Sequence, residues 1–123
     1  MTIRPTLLLL AFAFSATATA GTPTGNIAAG KNLFETKRSA LKQACTECHG
    51  PGGVQPQDNS RPRLAGQYPD YLSKALHDYK TGKRTNSLMG VIAKDLTEQD
   101  IADLSAYLGS EHGDIHDLSQ HER

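Results

Sequence analysis

The sequence has no tryptophan, two cysteines, two methionines and three phenylalanines in 123 residues. Two cysteines exclude the disulfide framework that staples many small exported domains. An aromatic content of 6% leaves little bulk for a core. Basic runs are also missing. Thirteen Lys and Arg face thirteen Asp and Glu for a formal net charge of zero, a balance that excludes a general nucleic-acid binder. The longest apolar run, Leu7 to Phe14, is too short to cross a bilayer, and no second run follows it. No segment shows the alternation expected of a strand.

What is present begins with MTIRPTLLLLAFAFSATATA, residues 1–20. A basic start, a short apolar stretch and a closing Ala-Thr-Ala have the layout of a secretory signal peptide, cleaved near Ala20/Gly21. A retained N-terminal anchor is the competing reading. Cleavage removes Phe12, Phe14 and Met1, so the mature chain keeps Phe34, four tyrosines (68, 71, 79 and 107) and Met89. A domain of roughly a hundred residues buries only about 60 to 65% of its chain surface. With so few large side chains it needs a metal or another buried body to complete its core. Charge is uneven along the chain: residues 21–94 carry eleven basic against five acidic side chains, and residues 95–123 carry one against eight.

Four segments read as helices. Residues 27–36 place Ile27, Gly30 and Phe34 at helical spacing. Pro69 to Thr81 places Leu72, Ala75, Leu76 and Tyr79 at i, i+3, i+4 and i+7, with Pro69 suited to the first turn and Gly82 to the stop. Leu88 to Ala93 is a short apolar stretch after a polar loop. The last helix starts at Thr97, with Asp100 three residues on, buries Ile101, Leu104 and Leu108, and ends at Gly109. Residues 50–68 form a long irregular stretch, which in a small domain implies something packed beneath it.

Both cysteines fall in ACTECHG, residues 44–50. Four chemistries compete for Cys45, Cys48 and His49. Structural zinc needs four ligands, and the chain has no second cysteine pair. A thioredoxin-like dithiol needs strands around it. A plain disulfide leaves His49 and the thin core unexplained. Covalent haem attachment is the meaning of C-x-x-C-H. Two thiols add to the porphyrin vinyls, the following His binds iron, and the haem supplies the missing core. Export agrees, because haem of this kind is installed outside the bacterial cytoplasm. Met89, the one methionine left after cleavage, is either core filler or the second axial ligand; with a haem in place, the His and Met pair known from cytochromes makes it the ligand. His77 stands beside the apolar stripe of its helix and reads as solvated.

These residues resemble class I cytochromes c, particularly small bacterial ones like a single half of cytochrome c4. The resemblance runs from about Ile27 to Gly109 and rests on ACTECHG, RPRLAGQYPDYL and KRTNSLMGVIAKDLTEQDIADLSAYL in that order. It implies an all-α fold wrapped around one covalent haem c, with iron between His49 and Met89. It also implies that the Pro62 carbonyl accepts from His49 Nδ1 and that Leu64 presses on the proximal haem face. Gly30 and Phe34 would cross Leu104 and Tyr107, with residues 37–43 as an insertion; Arg61, Arg63 and Arg84 are candidates for the propionates.

The expected organisation is a signal peptide over 1–20, a cytochrome c domain over 21–109 and a polar tail over 110–123. The expected function is not enzymatic. It is periplasmic single-electron transfer, by a free carrier or by the small electron-accepting subunit of a dehydrogenase. Partners would be a dehydrogenase donor and an oxidase or other cytochrome acceptor, steered by Lys and Arg at 61, 63, 74, 80, 83, 84 and 94. No nucleic acid and, after cleavage, no membrane span are expected. The rival function is a haem enzyme or gas sensor with a labile distal ligand. In the tail, His112, His116 and His121 read as incidental, with a Zn²⁺ or Cu²⁺ site as the alternative.

Overall fold

The computed structural model describes residues 21–38, 41–113 and 115; the expected export segment 1–20 and the tail residues His116 and His121 lie outside these. Helix α1 (Ile27–Glu35) is followed by a single turn, α2 (Thr46–His49), a 3₁₀ turn at Pro51–Gly53, then α3 (Pro69–Thr81), α4 (Met89–Lys94) and α5 (Glu98–Ser110). Among the described residues there is no strand, only an isolated bridge between Arg38 and Gln43. The fold is all-α.

Local chemistry sets the helix ends. Asn26 caps α1 by accepting from the Ala29 N–H at 2.9 Å. Proline opens α3, and Gly82 closes it at φ 78°, donating to the Tyr79 carbonyl. Thr97 and Asp100 form a reciprocal capping box on α5, with Asp100 N to Thr97 Oγ1 at 3.1 Å and Thr97 N to Asp100 Oδ2 at 2.9 Å.

The core is where α1 crosses α5. A β-carbon on Gly30 would lie 2.0 Å from the Asp103 carbonyl oxygen and 2.7 Å from Tyr107 Cβ, so only glycine allows this approach. Phe34 then reaches Tyr107, with ring centroids 5.7 Å apart and a 58° tilt. The buried Asp103 ties the chain before α1 to α5, accepting from Asn26 N at 2.7 Å and Gln99 Nε2 at 2.8 Å. Arg38 reaches Asp100 at 3.3 Å and Lys37 reaches Glu47 at 3.0 Å.

Several sequence expectations are corrected. Ile27, the first residue of α1, is exposed, and Leu33 is buried there with Gly30 and Phe34. The C-terminal helix does not stop at Gly109 but runs to Ser110. That glycine makes room: a β-carbon on it would lie 2.6 Å from Pro69 Cγ, at the start of α3. The short helix begins at Met89 and ends at Lys94. Residues 111–113 pack back on the body of the domain, where a β-carbon on Gly113 would meet the Ala65 carbonyl oxygen at 2.4 Å. His77 is more than solvated: its Nδ1 bonds to the Ser73 carbonyl at 2.8 Å and its Nε2 to Glu98. Lys80 adds bonds to the Leu96 carbonyl at 2.6 Å and Glu98 at 3.1 Å, so α3 is clasped to the start of α5.

Candidate haem-binding site

Cys45 is the N-cap of α2, and its carbonyl accepts from the N–H groups of Cys48 (3.2 Å) and His49 (2.9 Å). One helical turn therefore presents both thiols and the imidazole on one side, at i, i+3 and i+4. Gly50 ends the turn at φ 77°, where a β-carbon would lie 1.9 Å from the Gln55 carbonyl oxygen. The chain then folds back on itself. The Gly53 carbonyl accepts from Leu64 N at 2.8 Å and Ala65 N at 3.1 Å, which brings Pro62 to Leu64 alongside α2.

That return places the Pro62 carbonyl 3.0 Å from His49 Nδ1. A carbonyl oxygen only accepts, so Nδ1 carries the proton and Nε2 keeps its lone pair. Burial lowers the pKa of His49; the Pro62 bond opposes this and nearby Arg61 adds to it. The ring is thus held neutral and oriented, as a metal-binding imidazole needs. Both cysteines are free and half-buried. Burial pushes the Cys45 thiol up to about 11, partly offset by a backbone hydrogen bond, and so keeps it protonated.

Beside this turn stands an apolar wall that the chain leaves half-covered. Leu72 is the one buried residue of α3, although Ala75, Leu76 and Tyr79 continue its apolar stripe. Cys45, Leu64, Leu76 and Tyr79 pack on the core with one side open. A cavity of about 170 Å³ is lined by Leu33, Cys45, Ile92, Leu96 and Leu104, with Arg38 and Asp95 among its polar neighbours. It joins the Cys45 edge to α4, where Met89 stands one turn before Ile92. Met89 is half-buried, and its N–H donates to Asn86 Oδ1 at 2.9 Å.

Of the arginines considered for the propionates, Arg61 pairs with Asp58, and Arg84 lies 4.8 Å from the Tyr79 ring centroid and bonds Tyr71. Arg63 is exposed. His112, the tail histidine among the described residues, is exposed as well. One turn and one residue of the site go unmarked in the expectations above. The single turn α2 is too short to show a period, and Asn86 was passed over although Asn two or three residues before an apolar stretch is a turn-initiating signal.

The model of the family described as cytochrome c matches residues 27–111. The chain belongs to the cytochrome c family. Over 72 residues it is 44% identical to cytochrome c4 of Pseudomonas aeruginosa, a match spanning 58% of this chain and 35% of that protein. It is 33% identical over 106 residues to the cytochrome subunit of sulfide dehydrogenase of Chlorobaculum tepidum, covering 86% of this chain and 90% of that one. The solved cytochrome c4 of Acidithiobacillus ferrooxidans superposes with a TM-score of 0.64 at 37% identity, over 74% of this chain and 53% of that chain. The chain thus spans about a third to a half of the cytochromes c4 it matches.

A cytochrome c domain binds haem c covalently, and the residues present fit that group. Two thiols sit at the C-x-x-C-H spacing, an imidazole offers its Nε2, and an apolar wall stands open beside them. Among the described residues no three His, Cys, Asp or Glu converge on a point where they could hold a bare metal ion.

Proposed function

We propose that this cytochrome c is a periplasmic single-electron carrier, working free or as the electron-accepting subunit of a dehydrogenase. In this reading Cys45 and Cys48 hold the haem, His49 and Met89 bind its iron, and Pro62 and Leu64 support the proximal side. The observation that carries it is the His49 ring, fixed by the Pro62 carbonyl directly after two free cysteines and against a half-covered apolar wall. The bound haem supplies a one-electron Fe(III)/Fe(II) couple, and two protein ligands leave it no open position for a substrate. Thioether ligation and an apolar pocket favour the reduced form.

Docking rests on the basic part of the chain. Arg61, Lys74 and Lys80 are already paired with Asp58, Asp78 and Glu98, which shifts the weight to the exposed Lys83, Arg84 and Lys94. These face an acidic partner and make association fastest at low salt. The subunit of sulfide dehydrogenase, similar over nearly its whole length, supports a dehydrogenase as donor. Export rests on the signal-like residues 1–20; no helix among the described residues is long and apolar enough to cross a membrane.

The test is a redox-titrated visible spectrum of the protein secreted by a bacterium competent in cytochrome c maturation. One haem per chain, resistant to acid extraction, with the weak far-red sulfur-to-iron band in the oxidised state, is expected. Met89→Ala should abolish that band and lower the potential. A five-coordinate oxidised spectrum with rapid carbon monoxide binding in the parent protein would falsify the carrier reading.

A further inference from the structure

The segment that delivers Met89 is bare on one side. Residues 81–88 are all exposed, and α4 has six residues with Ala93 as its buried one. Packing therefore fixes α4 through Ala93, near its C-terminal end, and leaves Met89, at its N-terminal end, half-buried. That end is hydrogen-bonded to Asn86, through its side chain and its carbonyl. Asn86 Oδ1 accepts from both Leu88 N (3.0 Å) and Met89 N (2.9 Å), and the Asn86 carbonyl accepts from Gly90 N (2.9 Å).

A helix start exposes N–H groups that need partners. The residue that supplies them decides where the first turn begins and therefore the direction in which its first side chains leave the axis. Through these three bonds Asn86 fixes the residue before Met89, Met89 itself and the residue after it. We infer that Asn86 is the positioning residue of the distal ligand: it holds Met89 at the haem by capping the turn from which the thioether extends. It touches neither haem nor iron. This inference rests on the reading of Met89 as the axial ligand.

Losing the cap raises the population in which Met89 has swung away. An external ligand that binds only that population gains apparent affinity in proportion. The probe is imidazole, titrated into the oxidised secreted protein. Asn86→Ala should bind it about fivefold more tightly than the parent, the equivalent of the ~1 kcal/mol an N-cap contributes. Its far-red band should weaken. Asn86→Asp keeps an acceptor at the same place and should restore both readings. Thr97→Ala, which removes the cap of α5, should lower the unfolding midpoint and leave imidazole affinity unchanged.

Asn86→Ala with the parent's affinity, or Thr97→Ala matching its effect, overturns the inference. Should Asn86→Ala fail to accumulate, Asn86→Ser supplies a shorter acceptor. Imidazole binding tighter than to both the parent and Asn86→Asp supports the role, and the parent's affinity overturns it. Failure of the underlying reading looks different: the parent then lacks the far-red band, and Met89→Ala binds imidazole as the parent does.

Discussion

Gly30 lies directly against the backbone of Asp103: a β-carbon on Gly30 would sit 2.0 Å from the Asp103 carbonyl oxygen. Both partners are helix backbone, so neither can turn aside as a flexible side chain would. Gly30→Ala therefore has two opposed effects. It gains up to ~1 kcal/mol of helix propensity, and it forces α1 off α5, opening the Phe34 and Tyr107 contact. Overpacking of this kind costs ~1–3 kcal/mol, and the clash wins. Thermal unfolding should show a midpoint lower by several degrees.

The clasp between α3 and α5 makes stability depend on pH. The Glu98 bond, then the Ser73 carbonyl, raises the pKa of His77 above its ordinary 6.5. The same bond, with Lys80, lowers that of Glu98 below 4.5. A raised histidine stabilises fully below the unfolded pKa and loses its contribution as pH rises through the folded one. A lowered carboxylate does the reverse, losing its contribution as pH falls through its folded value. The pair is thus strongest between about pH 4.5 and 6.5. Urea midpoints of the parent and His77→Gln should differ most near pH 5.5 and converge as pH rises through the raised His77 pKa. A gap that widens toward alkaline pH would show that the clasp works with a neutral ring.

The capping box of α5 is a separate support. Thr97→Ala leaves the Asp100 N–H without its side-chain acceptor and should cost about 1 kcal/mol in chemical denaturation. Arg38 lies beside Asp100 at 3.3 Å, with its own side chain half exposed, so Arg38→Ala should cost less than 1 kcal/mol. A larger loss from Arg38→Ala would mean that Arg38 holds α5 more firmly than an exposed ion pair does.

How much was legible in the sequence depended on whether the signal had one meaning or two. Pro69 and Gly82 bound α3 unambiguously, because one fixes φ and the other accepts a left-handed residue. Thr97 with Asp100 marked α5 equally well. Gly109 had two meanings, a helix stop or a place of close approach, and the packing of Pro69 selected the second. Within α1, Ile27 and Leu33 are both apolar, and only the folded helix shows the first exposed and the second buried. Met89 was singled out by composition alone, while its place at the first turn of α4 depends on Asn86, an oxygen whose partners are visible only once the turn is folded. The Pro62 carbonyl belongs to the backbone and carries no mark in the sequence; its approach to His49 followed from family resemblance.

The thin core gives the last prediction. The buried apolar residues of the described chain include three alanines, and only Phe34 and Ile101 are large and fully enclosed. Around them Leu64, Leu76 and Tyr79 are half-covered, each forgoing part of the ~25 cal/mol per Å² that burial provides. If the haem is the body that completes this wall, a chain unable to attach it should keep its helices and lose its fixed packing. The Cys45→Ala/Cys48→Ala chain should retain far-UV dichroism, lose near-UV dichroism, bind a hydrophobic dye and unfold over a broad range of urea. The helix crossing at Gly30 does not involve the cysteines, so α1 and α5 should be the segments that keep slow amide exchange. A sharp transition with the parent's urea dependence would mean that the polypeptide closes its own core, and that the open wall serves another purpose.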